Sequence, residues 1–300
     1  MVDDSELTML NWKRTDVESR FGFRGGKHLG VNIAFSLILG IALTGAFYGL
    51  VYALLAWGNW RSALMFFHGG IEHRSTIPYY TLFLAGWSVA ILLIKSRKLA
   101  LQRQALTLAL IPEDPGFRLG SDESVRLVLD NIASQAYDPE NFILLDRIQR
   151  TLSNLSNTGR ISDVSEALQG QAEIDEGCME STYTALKGFI WAIPTLGFIG
   201  TVLGLSRAIG GFGQVVSEGG STQALADSLT KVTGGLSTAF ETTLIALIAA
   251  LCIQLLMTMI RSREEAFLDA CSTYCHKYII SRLRLRDPWR SDLESGGDGA

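Results

Sequence analysis

The chain has 300 residues, of which 48% are hydrophobic and 19% are charged, and its formal net charge is −4 at pH 7. A mean hydropathy of +0.23 agrees with a membrane protein, but the charged fraction is too large for a chain buried wholly in lipid. The weakly acidic balance gives no overall attraction to polyanions, so we expect no nucleic-acid partner. The composition predicts a membrane protein with a substantial part in water.

Four apolar segments are long enough to cross a lipid bilayer, because about 20 helical residues at 1.5 Å each span a hydrocarbon core of about 30 Å. They cover residues 29–57, 77–94, 188–210 and 236–260. The sequence therefore predicts an all-α membrane protein with four transmembrane helices, and the lipid bilayer is its first expected partner.

Lysine and arginine residues are concentrated in the segments beside the spans. Residues 1–28, 95–187 and 261–300 hold most of them, whereas the loops 58–76 and 211–235 hold few. Because cytoplasmic loops carry the excess of positive charge, both termini and residues 95–187 are predicted to be cytoplasmic. The predicted organisation is a basic N-terminal segment at 1–28, two spans with an outer loop at 29–94, a helical cytoplasmic domain at 95–187, two further spans at 188–260, and an amphipathic helix with a disordered tail at 261–300.

The cytoplasmic parts are predicted to be helical. A helix over 121–136 begins with acidic residues, which the helix dipole favours. Asp138 is predicted to cap the next helix, with Pro139 at its first position. Behind the last span, apolar residues recur at three- and four-residue steps and predict one buried stripe on a charged helix. The residues of this stripe are Phe267, Cys271, Tyr274, Tyr278 and Ile279.

The last two spans carry hydroxyl groups and one carboxylate within apolar sequence. An ionised side chain at the centre of a spanning helix costs about 2.5–3.5 kcal/mol even on lenient insertion scales, so Glu241 must face protein or water. A single threonine can bond its hydroxyl to the preceding turn of its own helix and be structurally silent. The whole set beside Glu241 instead indicates an ion path through the membrane. The threonines are Thr195, Thr201, Thr233, Thr238, Thr242 and Thr243.

Two motifs in these spans resemble the signature of the MotA/TolQ/ExbB proton-channel family. The first is Pro194-Thr-Leu-Gly-Phe-Ile-Gly-Thr-Val-Leu-Gly204, and the second is Gly235-Leu-Ser-Thr-Ala-Phe-Glu-Thr-Thr-Leu244. The resemblance extends over residues 180–262 and is specific because the two motifs occur as a pair.

The resemblance implies an ion pathway that contains Thr201 and Thr243. A glutamate that the family often carries before the second threonine is replaced by Thr238, and the chain's own carboxylate is Glu241. Two interpretations of Glu241 stay open from the sequence: it titrates in the pathway, or it is satisfied near the outer interface by Lys231 or by a neighbouring subunit.

Small residues four apart let membrane helices approach closely. Such motifs occur at Gly200–Gly204 and at Gly45–Gly49. The resemblance implies a ring of copies, a homo-pentamer, around two copies of a single-span MotB/TolR/ExbD-like subunit whose membrane aspartate takes up and releases the proton. The residues predicted to mediate helix packing are Pro194, Gly197, Gly200 and Gly204.

The function implied by the resemblance is a stator-type proton-channel subunit of a bacterial inner (cytoplasmic) membrane motor, which couples ion-motive force to mechanical work. The alternative is a non-conducting membrane scaffold that docks cytoplasmic proteins. The sequence contains no hydrolytic triad or nucleotide motif, so we expect neither an enzyme nor a cofactor. Cys271, Cys275 and His276 fall short of a four-ligand set, and no metal is expected.

Overall fold

A computed structural model describes residues 10–57 except 24 and 27, residues 76–153 except 113–116, 120 and 121, and residues 161–217 and 221–283. Residues 58–75 of the predicted outer loop at 58–76 and the predicted disordered tail at 295–300 lie outside the described residues. Within the described residues the regular structure is helical, and the β-bridges are the isolated pairs Leu10 with Ala136 and Leu119 with Leu283. The prediction of an all-α protein is therefore confirmed.

The helices are labelled in chain order. They are α1 (Trp12–Thr15), α2 (Val17–Arg20), α3 (Ile33–Ala56), α4 (Ile77–Gln104), α5 (Asp122–Gln135), α6 (Ile143–Ser153), α7 (Ile161–Ser181), α8 (Thr184–Ser217) and α9 (Thr222–Tyr278). The chain forms two compact units. One unit contains Met1–Gly30, Ser96–Thr182 and Ser262–Ala300, and the other contains Val31–Lys95 and Tyr183–Arg261.

Among the described residues, four helical segments are long and apolar enough to cross a membrane, which confirms the predicted number of spans. An apolar stretch long enough for one crossing lies within each of the ranges Ile33–Leu54, Ile77–Thr107, Asp163–Ser217 and Thr222–Arg282, of which the last two continue far beyond it. Large apolar side chains are exposed along these segments, as on Trp191, which is 77% exposed. Such surfaces are expected where a helix faces lipid or another membrane helix. The chain is therefore a multi-pass helical membrane protein.

The last two helices extend beyond the predicted spans. The loop expected at 211–235 is largely helical, since α8 runs to Ser217 and α9 begins at Thr222. Alanine, leucine and glutamine in the first turns of α9 favour the helix without any need for lipid. Pro194 lies inside α8, which continues through it. Membrane helices tolerate such a proline because neighbouring groups satisfy the freed backbone carbonyl.

In the unit that contains most of the spans, α3 approaches α4 at a glycine. A Cβ at Gly40 would lie 2.7 Å from the Cα of Trp87, so only glycine fits there. Trp87 Nε1 donates a hydrogen bond of 3.0 Å to Ser36 Oγ, which satisfies the indole inside the spans. At the end of this unit, the Lys95 ammonium lies 4.3 Å from the ring centroid of buried Tyr183.

In the other unit, the N-terminal segment is held by a buried ion pair. Lys98, at 1% exposure, donates to the carboxylate of Glu18, which is fully buried, and to Gly30 O at 2.6 Å. The ring of Trp12 meets the ring of Phe142 edge to face, with 5.3 Å between their centroids. The described part of the N-terminal segment, which starts at Leu10, is thereby part of the folded unit.

The start of α6 differs from the prediction. Pro139 opens a 3₁₀ turn over Pro139–Asn141, the side chain of Asp138 makes no capping bond there, and α6 begins at Ile143. The reason is a cap from another helix: Ile143 N donates to Gln102 Oε1 at 3.0 Å, and Gln102 Nε2 donates to Asn141 O at 2.7 Å. A partner from α4 thus replaces the local cap.

The predicted apolar stripe behind the last span is confirmed. Phe267 and Cys271 are buried on α9, and Ile279 is buried directly after its end. Tyr274 and Tyr278 are half-buried, and their ring centroids lie 4.6 Å apart.

Candidate ion-pathway site

Glycines bring α8 and α9 into backbone contact. A Cβ at Gly197 would lie 2.5 Å from Ala246 Cβ, and one at Gly204 would lie 2.9 Å from Ala239 Cβ. These separations are shorter than real Cβ contacts, so a side chain at either glycine would force the helices apart. The close pairs are Gly197 with Ala246, Gly200 with Thr242, Gly204 with Ala239 and Gly235 with Ala208.

This close approach places two threonine hydroxyls against each other. Thr201 Oγ1 and Thr243 Oγ1 are hydrogen-bonded, and either can be the donor. Each hydroxyl also lies near two backbone carbonyls, one from each helix. Thr201 Oγ1 is 3.2 Å from Gly197 O and 3.3 Å from Ala239 O. Thr243 Oγ1 is 3.0 Å from Gly197 O and 3.4 Å from Ala239 O.

The four oxygens have more acceptor positions than protons. Each hydroxyl has one proton to donate, whereas the two carbonyls can only accept. Whichever threonine gives its proton to the other leaves the second hydroxyl free to donate to a carbonyl. Two arrangements with opposite donor direction are therefore possible at Thr201 and Thr243. Such a pair can reorient with a proton or a water molecule that passes it, and a methyl group cannot.

Thr238 and Glu241 lie on a different side of α9. Thr238 Oγ1 donates to Gly234 O at 3.1 Å, and Ser237 Oγ donates to Glu241 Oε1 at 3.3 Å. At about 100° of rotation per helical residue, Glu241 lies about 200° around α9 from Thr243. The structure thus brings Thr201 and Thr243 together and places Thr238 and Glu241 elsewhere.

The remaining threonines donate to backbone carbonyls of their own helices, which is the structurally silent role that a single threonine can have. Thr195 Oγ1 donates to Trp191 O at 2.9 Å, and Thr242 Oγ1 donates to Ala239 O at 2.8 Å. Thr233 Oγ1 donates to Thr230 O at 2.9 Å in the same manner. These hydroxyls are satisfied without an ion path.

The small-residue motif Gly45–Gly49 has a different environment from the motif Gly200–Gly204. A Cβ at Gly45 or at Gly49 would meet no atom of the described residues within 4 Å. The sequence motif identified this glycine pair but missed Gly40, which makes the contact with α4.

Outside the spans, a buried polar cluster joins three helices, and sequence reasoning missed it. Arg147 Nη2 and Nε donate to Asp175 Oδ2 at 2.6 and 3.0 Å, and Arg147 Nη1 donates to Ser272 Oγ at 2.9 Å. Burial raises the pKa of the Cys271 thiol to about 12 and that of Cys275 to about 11. At neutral pH both are protonated thiols rather than thiolate ligands or nucleophiles. No group of three or more potential metal ligands occurs among the described residues.

The fold and the site define a multi-pass helical membrane protein with a hydroxyl pair between two of its spans. Residues 135–272 match the family model of the MotA/TolQ/ExbB proton channel family. This match directly supports the family predicted from the sequence, over a little under half of the chain. It includes α6, α7, α8 and the part of α9 that carries Thr243. No curated protein and no solved structure matches the chain.

Proposed function

We propose that the protein is a proton-channel subunit of a stator-type complex in a bacterial inner membrane, and that it couples ion-motive force to mechanical work. The observation that carries the proposal is the hydrogen bond between Thr201 and Thr243 across two spans that belong to a proton channel family. One charge that crosses 100 mV supplies about 2.3 kcal/mol, which is enough to drive a conformational step.

The proposal includes an assembly of several chains. Five copies surround two copies of a single-span MotB/TolR/ExbD-like subunit whose membrane aspartate carries the proton. Exposed apolar residues of α8 and α9 support it, because they leave a large surface for neighbouring copies, a partner span and lipid. Phe198 is 65% exposed and Phe240 is 61% exposed. Both termini and residues 95–187 lie in the cytoplasm in this arrangement.

Proton flux through liposomes that contain the protein with its partner tests the proposal. Thr201→Val and Thr243→Val keep the side-chain shape and remove the hydroxyl donor. We expect each variant to lower the proton flux at least about tenfold, which is the effect on a rate of losing one buried hydrogen bond. Thr195→Val is the matched control in the same helix, since its hydroxyl bonds only to its own helix. Full flux in both variants would remove the threonine assignment.

One observation favours the alternative of a non-conducting scaffold. Both threonine hydroxyls have acceptors within the protein, so their pair can serve as an interhelical fastener alone. In that case Thr201→Val and Thr243→Val lower the thermal stability of the protein, and wild type conducts no protons with any copurified partner. Measuring stability and flux on the same samples separates the two functions.

A further inference from the structure

The last turns of α4 carry basic residues, and the whole helix has no acidic residue to balance them. Two of these cations are compensated inside the protein: Lys98 pairs with buried Glu18, and the Lys95 ammonium lies against a tyrosine ring. The other two, Arg97 and Arg103, are exposed. The surface near the end of α4 is therefore positively charged.

The Arg103 side chain is held against a second exposed arginine. Arg103 Nη2 donates a hydrogen bond of 3.1 Å to the backbone carbonyl oxygen of Arg263, which lies on α9 in the same compact unit. A carbonyl oxygen is about 2.4 Å from the Cα of its own residue, so Arg103 Nη2 lies within about 5.5 Å of Arg263 Cα. The exposed side chain of Arg263 starts at that Cα and is long enough to bring its guanidinium beside that of Arg103.

No carboxylate pairs with either guanidinium in the part of the chain that the structure describes. There, the side chain of Arg103 has its bond to the Arg263 carbonyl, and the side chain of Arg263 has no hydrogen bond or ion pair. Glu264 and Glu265 follow Arg263, but they lie about 100° and 200° around α9 from it. The neighbours on its own face are apolar: Met259, Ile260, Ala266 and Phe267. Two like charges repel, so an anion between them is stabilised.

The pair lies at the depth of the lipid headgroups. The apolar part of α9 ends at Ile260, so Arg263 lies about 4.5 Å beyond it along the helix, within a headgroup layer of about 5–7 Å. Arg103 starts farther out, nine residues after the apolar part of α4 ends at Ile94. Its guanidinium nevertheless returns to the backbone of Arg263, because helical side chains tilt toward the N-terminus, which is the apolar end of α4.

The chemistry of the pair suits a phosphate group. A guanidinium has five N–H donors, and Arg103 uses one of them on the Arg263 carbonyl. Arginine binds phosphate oxygens through two parallel hydrogen bonds, which gives both strength and geometric specificity. A phosphate between Arg103 and Arg263 receives donors from both side chains and removes their repulsion. A phospholipid presents its phosphate at this depth of the membrane.

We propose that Arg103 and Arg263 form a binding site for the phosphate of an anionic phospholipid, in the leaflet on the side of the C-terminus. The bound headgroup joins the end of α4 to α9. The site rests on the proposed crossing of the membrane by these two helices, and it does not depend on ion conduction.

Lipid binding to the purified full-length protein tests the site without any partner or transport assay. The protein in a non-ionic detergent is titrated with phosphatidylglycerol or with phosphatidylcholine of the same acyl chains, and native mass spectrometry counts the lipids bound per chain. Arg103→Gln and Arg263→Gln each remove one member of the pair. Arg97→Gln is the control with the same change of charge, since Arg97 is exposed on α4 about 120° around the helix from Arg103.

Phosphatidylglycerol should bind wild type more tightly than phosphatidylcholine, and each variant of the pair should weaken its binding at least about tenfold, because charge-assisted hydrogen bonds are lost. Arg97→Gln should weaken it less than about threefold, as for an exposed charge with no defined partner. Thermal unfolding should be similar in all three variants. Because Arg263 has no side-chain bond among the described residues, Arg263→Gln tests the site even if Arg103→Gln is unstable.

Three results would overturn the proposal. An equal loss of binding in Arg97→Gln would mean that net charge, rather than a site, attracts the lipid. Displacement of the lipid by inorganic phosphate would identify a soluble phosphate as the ligand. Equal affinity of wild type for both lipids would exclude an anionic lipid and point to an acidic protein segment as the ligand. None of these results would affect the proposed ion conduction, which is measured separately.

Discussion

Arg147 and Asp175 form a buried ion pair in which two guanidinium nitrogens donate to the same carboxylate oxygen. Arg147 is 1% exposed and Asp175 is 6% exposed, so water screens neither charge. The third bond of the guanidinium, to Ser272, connects this pair to α9 behind the last span. One side chain of α6 is thus bonded to both α7 and α9.

Removing either charge should destabilise the unit outside the spans. Because Arg147→Met leaves a buried carboxylate uncompensated, the free energy of unfolding should fall by about 3–5 kcal/mol. Arg150→Ala breaks only the half-exposed pair with Asp146 and should cost at most about 1 kcal/mol. Thermal unfolding in detergent measures both changes. If Arg147→Met lowered the stability no more than Arg150→Ala does, the ion pair of Arg147 with Asp175 would have no structural role. If the double variant Arg147→Met with Asp175→Leu regained stability over Arg147→Met alone, the uncompensated carboxylate would be the cause of the loss.

The buried thiols of Cys271 and Cys275 make the stability of the same unit pH-dependent. Burial raises their pKa above the ordinary value of 9.0, to about 12 and about 11. The stability that these two thiols contribute is therefore complete below pH 9. It decreases as the pH rises from 9 to 12, because the thiols ionise in the unfolded chain before they ionise in the folded protein.

Unfolding by denaturant at pH 8 and at pH 10 measures this decrease, and Cys271→Ala should reduce it. At pH 8 a thiol reagent should react with the exposed Cys178 well before it reacts with Cys271 or Cys275 in the folded protein. Equal reaction rates would contradict the buried environment.

Much of the fold could be predicted from local pattern alone. Apolar length specified the four spans, and helical periodicity specified the stripe that buries Phe267 and Cys271. The contacts that depend on distant residues could not be predicted. Gln102 caps α6 although it is 41 residues away from Ile143 in the sequence, and Arg147 pairs with Asp175, which is 28 residues away. No local sequence pattern indicates either contact.

The candidate site was predictable in composition but not in geometry. The family resemblance selected Thr201 and Thr243, but their mutual bond depends on the helix register that Gly197 and Gly204 allow. Glu241 is turned away from the pair because it lies two residues before Thr243 on the same helix, about 200° around it, so this part of the geometry follows from the spacing once α9 is known to be helical.

Enlarging a glycine between α8 and α9 should separate these helices. Gly204→Leu would drive its side chain into Ala239, and overpacking of this kind costs about 1–3 kcal/mol. Gly200→Leu should act in the same way against Thr242. Thermal unfolding and native mass spectrometry in detergent should show lower stability and loss of any oligomer. Gly49→Leu, with nothing within 4 Å inside the chain, is the control for stability. Wild-type behaviour of Gly204→Leu would contradict the close contact.

The proposed topology predicts which engineered cysteines can be reached from outside intact cells. Ser221 precedes α9 and Ser134 lies in α5, and both residues are exposed. If cytoplasmic loops hold the positive charge, Ser221→Cys should react with an impermeant reagent and Ser134→Cys should react only after the cells are opened. Labelling of Ser134→Cys in intact cells would invert or remove the four-span arrangement.

The hydroxyl pair should behave as one functional unit. Thr201→Ser and Thr243→Ser keep the donor and should keep most of the proton flux, whereas the valine variants lose it. If each hydroxyl passes its proton through the other, as proposed, the double variant Thr201→Val with Thr243→Val should conduct no less than either single variant, which is the coupling expected of residues in one network. Flux in partner-containing liposomes measures all five proteins. If the two valine losses multiplied in the double variant, the threonines would act independently and the shared proton position between them would be excluded.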